Sequence, residues 1–268
     1  MEMITSRSNP RIKLVRGLHQ RKQRVAGGLL LTEGIHAVGQ AIEAGASIAA
    51  IFYAPDLLTS DYARGLVEEQ QAGGGEIYPV SADVFSSMAE KENPQGILAV
   101  VRQKSVSLEE LSPQNYSWGV ALITPQDAGN VGTILRTIDA VGADGLLLLD
   151  GGVDGLNPGL VRASMGAVFW HPVVSASFAG FAAWAGKHGY HIYGTSAHAG
   201  TMVGDLARYE RPAVLLLGSE RNGLTPEQAA LCREVLCLPM QGHVSSLNLS
   251  VAAGVLLYDM LGRGYGKP

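Results

Sequence analysis

Several short segments in the second half of the chain are apolar at nearly every position rather than at alternate ones. Residues 118–124, 145–150, 213–217 and 235–238 all read this way. A strand of that kind is buried on both faces, so it belongs inside a sheet covered by helices on either side. After the first of them, Val131, Ile134, Leu135, Ile138 and Val141 recur at helical spacing and predict a helix over 131–141. Further strands fit at 168–174 and 190–195. Strand and helix in alternation give a mostly parallel sheet with its connections packed on both faces. From the residues alone, the expected architecture is an α/β open doubly wound sheet.

Such a sheet binds ligands in the crevice outside the carboxyl ends of its strands. Three turns at that edge carry unusual polar chemistry. The first is Thr124-Pro125-Gln126-Asp127-Ala128-Gly129-Asn130-Val131-Gly132, and the second is Leu217-Gly218-Ser219-Glu220-Arg221-Asn222-Gly223. In the third, Pro239 stops an apolar run, and a polar loop over 241–246 leads into an apolar helix. Ser245, Ser246 and Asn248 stand at the start of that helix, where unpaired backbone N–H groups gather. An ordinary N-cap accounts for any one of these turns taken singly. Taken together they point to one ligand crevice.

The common nucleotide sites are excluded. A dinucleotide fold needs G-x-G-x-x-G after its first strand, and the corresponding turn, Asp127 to Gly132, lacks that pattern. Gly218 and Gly223 imitate the spacing of a phosphate loop, but Leu224 stands where its lysine belongs. His188, His191 and His198 have no carboxylate or cysteine cluster around them, so no metal is expected. Cys232 and Cys237 are too few for a disulfide framework and fit a reducing cytoplasm. No apolar run reaches the ~18 residues of a membrane span, and the N-terminus lacks the apolar centre of a secretory signal.

The first half reads as a smaller α/β unit. Strands fit at 27–32, 47–53, 76–80 and 96–101, with helices over 33–44, 61–71 and 83–90. A polar stretch over 102–116 with Pro113 is a plausible boundary. The expected domains are therefore 1–104 and 117–268. Residues 1–24 hold Arg7, Arg11, Lys13, Arg16, Arg21, Lys22 and Arg24 against Glu2 alone, a charge of +6. The overall net charge is −4, so −10 falls on the remainder. A basic arm on an acidic body suggests a polyanionic partner. Equally, Ile12, Leu14, Val15 and Leu18 could form the buried stripe of a solvated helix.

With these turns in hand, the chain resembles the SpoU (TrmH-like) branch of the SPOUT RNA 2′-O-ribose methyltransferases. Three motifs carry the likeness across 118–262, in family order and spacing. They are Asn130-x-Gly132-x-x-x-Arg136-Thr137, then Leu217-Gly218-Ser219-Glu220-x-x-Gly223-Leu224, then Leu238-Pro239-Met240 followed by Ser246-Leu247-Asn248-Leu249-Ser250. The first half is similar to the family's substrate-binding domain at Asn9-Pro10-Arg11, Glu33-Gly34 and Gln95-Gly96. The resemblance implies a C-terminal α/β knot, a deep trefoil that topology rules alone would exclude, together with a smaller N-terminal RNA-binding domain. It also implies a cytoplasmic homodimer, with no membrane partner, that methylates a ribose in structured RNA. Ribosomal RNA is the leading substrate. Transfer RNA and a non-catalytic ribosome-assembly role are the alternatives.

The likeness also assigns residues. S-adenosylmethionine would be held near Thr195, Leu217, Gly218, Gly223, Leu238, Met240 and Leu247. Arg136 would stand at the catalytic centre, with Asn130, Glu220, Ser246 and Asn248 around it and Glu220 orienting the guanidinium. From the charge of the N-terminal arm rather than from the likeness, RNA would be held by Arg7, Arg11, Lys13, Arg21, Lys22 and Arg24. Because a guanidinium stays protonated in proteins, the better role for Arg136 is to grip a phosphate and stabilise a developing alkoxide rather than to act as a base. The competing reading makes Arg136 a surface residue paired with Asp127 or Asp139.

Overall fold

In the computed structural model, residues 2–104 and 106–264 are described. The chain divides into two compact units. The first comprises Met1–Ser105 and Leu156–Phe169, and the second Val106–Gly155 and Trp170–Pro268.

The first unit has a four-stranded sheet of β1 (Leu29–Glu33), β2 (Ser47–Tyr53), β3 (Ile77–Pro79) and β4 (Ile97–Arg102), in the order β1-β4-β2-β3. β4 runs antiparallel to both β1 and β2, while β2 and β3 are parallel. One sheet face buries Leu30, Ile51 and Ala99 with Val38 and Ala41 of the helix Ile35–Glu43, and with Leu156 and Val161. The other buries Leu31, Phe52, Leu98 and Val100 against Ile12, Val15 and Leu18. The basic arm is thus a folded helix, Pro10–Gly17, seated in the core through its apolar stripe. Leu14, expected in that stripe, is 51% exposed.

The strand expected at 27–32 begins later, because residues 21–27 are helical. Gly28 ends that helix at φ +58°, and β1 starts at Leu29. The helix expected over 83–90 is one turn only, Ala82–Ser86, capped by the Ser81 hydroxyl.

The second unit is an α/β layer around a seven-stranded sheet. Its strands are β5 (Trp118–Ile123), β6 (Leu146–Leu149), β7 (Val173–Ala176), β8 (His191–Thr195), β9 (Thr201–Met202), β10 (Ala213–Leu217) and β11 (Glu234–Cys237). They lie in the order β7-β6-β5-β10-β8-β11-β9, and every pairing is parallel. β5, β6 and β10 are buried at every position, as their unbroken apolar sequence requires. The strand expected at 168–174 is displaced. Met165 and Gly166 turn the chain at φ +53° and +99°, residues Ala167–Trp170 are helical, and β7 begins only after Pro172.

The polar stretch ahead of β5 is less of a linker than it reads. Leu108, Leu111 and Tyr116 are buried in the second unit's core. There the Tyr116 hydroxyl donates to Gly145 O at 2.9 Å, and Trp184 Nε1 donates to Leu111 O at 2.9 Å. Among the described residues, no helix is long and apolar enough to cross a membrane.

Candidate active site

The parallel sheet aligns its strand ends. Leu217 pairs with Leu122, Leu216 with Gly194, and Leu236 with Thr195, so β5, β10, β8 and β11 all end at one edge. Each strand there hands over to a loop, and the sheet bonding reaches one residue past β5 and β8, where Thr124 N donates to Leu149 O at 2.9 Å and Ser196 N to Leu236 O at 3.0 Å.

After β5, Thr124 is held at φ +42°, an uncommon conformation for a non-glycine residue. Asp127 then caps the helix Ala128–Val141, its carboxylate accepting from Asn130 N at 2.6 Å. That cap fixes the first turn and presents the Asn130 side chain to the edge. The helix buries Val131, Ile134, Leu135, Ile138 and Val141, leaves Thr133 and Arg136 exposed, and holds Asn130 half-buried.

After β10 the chain folds back on itself. Ser219 N donates to Gly223 O at 3.1 Å, and Gly223 N returns a bond to Ser219 O at 2.9 Å. Gly223 sits at φ +66°, and a Cβ on Gly218 would lie 2.1 Å from the Gly223 carbonyl carbon. Only glycine permits this approach, which places Glu220 on a short, rigid loop.

From β11 the chain has to come back. β8 and β10 separate β11 from β5, yet the helix Leu249–Gly264 packs against the helix Ala128–Val141 that follows β5. Residues 238–248 make that crossing. The far end is pinned by Asp259, which accepts from Tyr209 Oη at 2.6 Å and from Arg263 Nε at 2.7 Å. At the near end, Asn248 Oδ1 caps the new helix, accepting from Ser250 N at 2.9 Å and Ser250 Oγ at 2.7 Å. Its Nδ2 donates to Asn130 Oδ1 at 3.0 Å, and Asn130 Nδ2 donates in turn to Glu220 Oε1 at 2.8 Å. Three turns distant in sequence therefore meet in one hydrogen-bonded row. In that row the Asn248 side chain is helix cap and site residue at once. Asp127, which orients Asn130, lies outside the set of site residues expected from the sequence. The capping pattern, an Asp just before an apolar-periodic run, is the signal that finds it.

The expected cofactor residues lie along the same edge. Thr195 ends β8, Leu217 ends β10 and is buried, and Leu238 and Met240 are half-buried just past β11. Leu247 is 39% exposed. Ser246 is exposed, and no hydrogen bond joins it to Asn130, Glu220 or Asn248 among the described residues.

Arg136 behaves differently from the expectation. Glu220 bonds Asn130 and does not orient Arg136. Nor does the surface-pair reading hold: Asp127 is occupied as a cap, and Asp139 binds His171 Nε2 at 2.8 Å. Arg136 is exposed and makes no hydrogen bond or ion pair among the described residues. It follows Asn130 by six residues in one helix, ~9 Å along the axis and about 120° around it, so the two side chains leave different faces.

On the basic arm, Lys13, Arg16, Arg21 and Lys22 are exposed. Arg7 forms an ion pair with Asp83, its Nε donating to Oδ2 at 2.8 Å, and Arg11 lies over the Tyr78 ring at 4.6 Å. Arg24 is withdrawn from the RNA-facing set. It is 3% exposed, and its guanidinium donates to Leu18 O at 3.0 Å and His19 O at 2.7 Å, closing the end of the first helix. His188, His191 and His198 form no cluster; His191 instead faces Glu210 and Arg233. No group able to hold a metal ion occurs among the described residues.

Comparison with known proteins adds to this geometry. Residues 117–258 match the SpoU rRNA Methylase family, and residues 9–99 match the MRM3-like substrate binding domain. The chain is 32% identical to the 23S rRNA (guanosine(2553)-2′-O)-methyltransferase of Bacillus subtilis, over 98% of this chain and 100% of that protein. It is 31% identical to the 23S rRNA (uridine(2479)-2′-O)-methyltransferase of Streptomyces viridochromogenes, over 90% and 85% of the two chains. Among solved structures it is similar to an AdoMet-bound rRNA methyltransferase from Sinorhizobium meliloti, with a TM-score of 0.87, 31% identity and 97% of each chain covered. With the motif residues joined at one sheet edge and the family matched over more than half its length, the chain belongs to the SpoU rRNA methylase family.

Proposed function

We propose that this chain transfers the methyl group of S-adenosylmethionine to a ribose 2′-hydroxyl of large-subunit ribosomal RNA. The observation that carries the reading is the row Asn248–Asn130–Glu220 at the carboxyl edge of the sheet. Relatives named for 2′-O-methylation of 23S rRNA, and a neighbour carrying AdoMet, support it.

The residues present fit the cofactor. The close approach of Gly218 to Gly223 leaves backbone near the edge without side-chain obstruction. Leu217, Leu238 and Met240 offer apolar surface for an adenine ring, while N–H and C=O groups at the ends of β8, β10 and β11 can read its edge. When bound, S-adenosylmethionine supplies an electrophilic methyl group on a sulfonium centre.

The chain's own residues hold the ribose. Asn130 is fixed at both ends of its amide, by Glu220 and by Asn248, so it can position the hydroxyl without reorganising. Arg136, charged and unpaired, grips the neighbouring phosphate and lowers the cost of negative charge developing on the 2′-oxygen, whose proton is released to water. The first unit holds the RNA through Arg7, Arg11, Lys13, Arg21 and Lys22, and the second unit, which takes up 117–268 apart from Leu156–Phe169, is the catalytic domain.

Three further features belong to this reading. The crossing of 238–248 back to the helix Ala128–Val141 is the passage a trefoil knot requires. Val251, Val255 and Tyr258 are 50%, 45% and 57% exposed and follow one another at helical spacing along Leu249–Gly264, the face a second copy would cover in a homodimer. A ribosomal substrate places the enzyme in the cytoplasm.

The decisive experiment incubates the purified chain with ribosomal RNA from cells lacking the gene, plus S-adenosylmethionine, and maps ribose methylation. One nucleotide of the large-subunit RNA should gain a 2′-O-methyl group. Methylation of transfer RNA alone, or of no RNA, would overturn the reading.

A further inference from the structure

The helix Arg21–Gly27 carries part of the basic arm, yet it has no apolar anchor. Arg24 is its single buried residue, and every other side of it, Val25 included, is exposed. A helix this short is marginal on its own, and packing of an apolar face usually holds it. Here polar bonds to the preceding turn do so. Arg24 Nη1 donates to Leu18 O at 3.0 Å and to His19 O at 2.7 Å, which ties the helix to residues 18 and 19.

That turn is fixed in two ways. The Leu18 side chain is buried in the same core cluster as Met88. The His19 ring reaches the segment that follows: Nε2 lies 2.8 Å from Met88 O, and Nδ1 lies 3.3 Å from Glu90 Oε1. A carbonyl oxygen and a carboxylate only accept, so both ring nitrogens have to donate. A neutral ring has one N–H and serves one of the two acceptors. The imidazolium serves both. Glu90 is held below the usual carboxylate range, chiefly by the bond to His19 and further by Arg162, whose Nη1 donates to Oε2 at 2.9 Å.

No other charged group here replaces the ring. Glu33, on β1, accepts through Oε2 from Glu90 N at 2.8 Å. Lys91, and His36 on the helix Ile35–Glu43, line the same cleft as His19, and neither bonds Met88 or Glu90 among the described residues. We propose that His19, as its imidazolium, is a positioning residue for RNA: it clamps the 18–20 turn to Met88 and Glu90 and so sets where Arg21 and Lys22 meet the phosphate backbone. The proposal rests on the reading of the chain as an RNA methyltransferase that holds its substrate through the basic arm. The bond to Glu90 lifts the ring above its usual 6.5, so the clamp is complete at lower pH and opens as pH rises through the raised value.

The test measures binding of the full chain to large-subunit ribosomal RNA from cells lacking the gene, in a pH series at fixed ionic strength. NMR follows the His19 ring through the same series. Wild-type affinity should fall about tenfold with the midpoint of that ring, and the log–log salt slope should flatten by about one unit for each of Arg21 and Lys22 that leaves its phosphate. His19→Arg keeps a permanent charge and donors on separate nitrogens, and it should bind at the low-pH level throughout. His19→Gln has neither and should bind about tenfold more weakly at every pH. His36→Gln removes the other ring of the cleft and should keep the wild-type profile. Melting temperatures confine the comparison to folded protein.

Affinity that stays constant while the His19 ring titrates would overturn the proposal. So would a pH profile kept by either His19 variant or lost in His36→Gln. Methyl transfer to the same RNA, measured in parallel, separates the two readings. If transfer proceeds and binding ignores His19, only the clamp falls. If binding follows His19 and no RNA is methylated, the clamp stands and the enzymatic reading falls.

Discussion

Asn248 Nδ2 donates to Asn130 Oδ1 at 3.0 Å across 118 residues of chain. The bond joins the starts of two helices that pack against each other, and it leaves the Asn130 amide free to bond Glu220 as well. Asn130→Ala removes the centre of this row while Asp127 still caps the helix through the backbone. Turnover should fall ~10²–10³-fold, the scale of a missing transition-state hydrogen bond, with cofactor affinity nearly unchanged. Single-turnover methyl transfer and isothermal titration measure the two quantities. A drop in affinity with turnover intact would make Asn130 a cofactor residue.

Arg136 is exposed and bonds no described residue, so Arg136→Ala disturbs no packing and no ion pair. Melting temperature and S-adenosylmethionine binding should stay at wild-type values while methyl transfer falls by roughly two orders of magnitude or more. Near-normal turnover would remove Arg136 from the mechanism.

A methyl group on Gly218 would collide with the Gly223 carbonyl carbon at 2.1 Å. Gly218→Ala should therefore open the 218–223 loop and weaken S-adenosylmethionine binding by about tenfold or more. Gly262→Ala, in open space on the last helix, is the control and should leave binding alone. Titration of both variants decides the point.

The helix Pro10–Gly17 buries Ile12 and Val15 completely, so deleting the arm would open the first unit's core. Replacing Lys13, Arg16 and Lys22 by Gln removes charge alone. RNA affinity should fall, and the log–log salt slope should flatten by about one unit for each phosphate no longer neutralised. A filter-binding series over salt measures it, and an unchanged slope would reduce the arm to a structural helix.

His19 and Glu90 shift in opposite directions, each chiefly through the hydrogen bond to the other. The carboxylate lifts the imidazole above its usual 6.5, and the imidazole holds Glu90 below its usual 4.5. A raised histidine contributes stability that is full below its unfolded value and fades as pH rises through the folded one. A depressed carboxylate contributes stability that is full above its unfolded value and fades as pH falls through the folded one. Both contributions overlap between about pH 4.5 and 6.5. The melting-temperature difference between wild type and His19→Gln should peak in that window and shrink as pH rises through the raised folded-state value of His19. A difference independent of pH would show that the ring acts through packing alone.

Much of this was legible in the chain. The strands at 47–53 and 213–217 follow from β-branched and apolar runs, and the membership of Asn130, Glu220 and Asn248 in one site follows from their turns. Their partners were not legible, because the bonds span 90 and 118 residues and depend on where the last crossing lands. Val168, Phe169 and Trp170 look strand-like by composition, but the turn at Met165 and Gly166 sets them in a helix. Arg24 counts as surface charge in any sequence reading, and only packing reveals that it closes a helix end. Nothing in residues 156–169 announces that this excursion from the methyltransferase segment packs into the first unit.

Asn248 comes after every other member of the hydrogen-bonded row in the order of synthesis. A message cut short ahead of its codon would yield a product whose nucleic-acid-holding half is whole but whose Asn130 has one partner fewer. The same product would also lack Ala253, Leu256, Leu257 and Met260, buried where the last helix packs on Ala128–Val141, so premature termination removes the core under the row together with its final member.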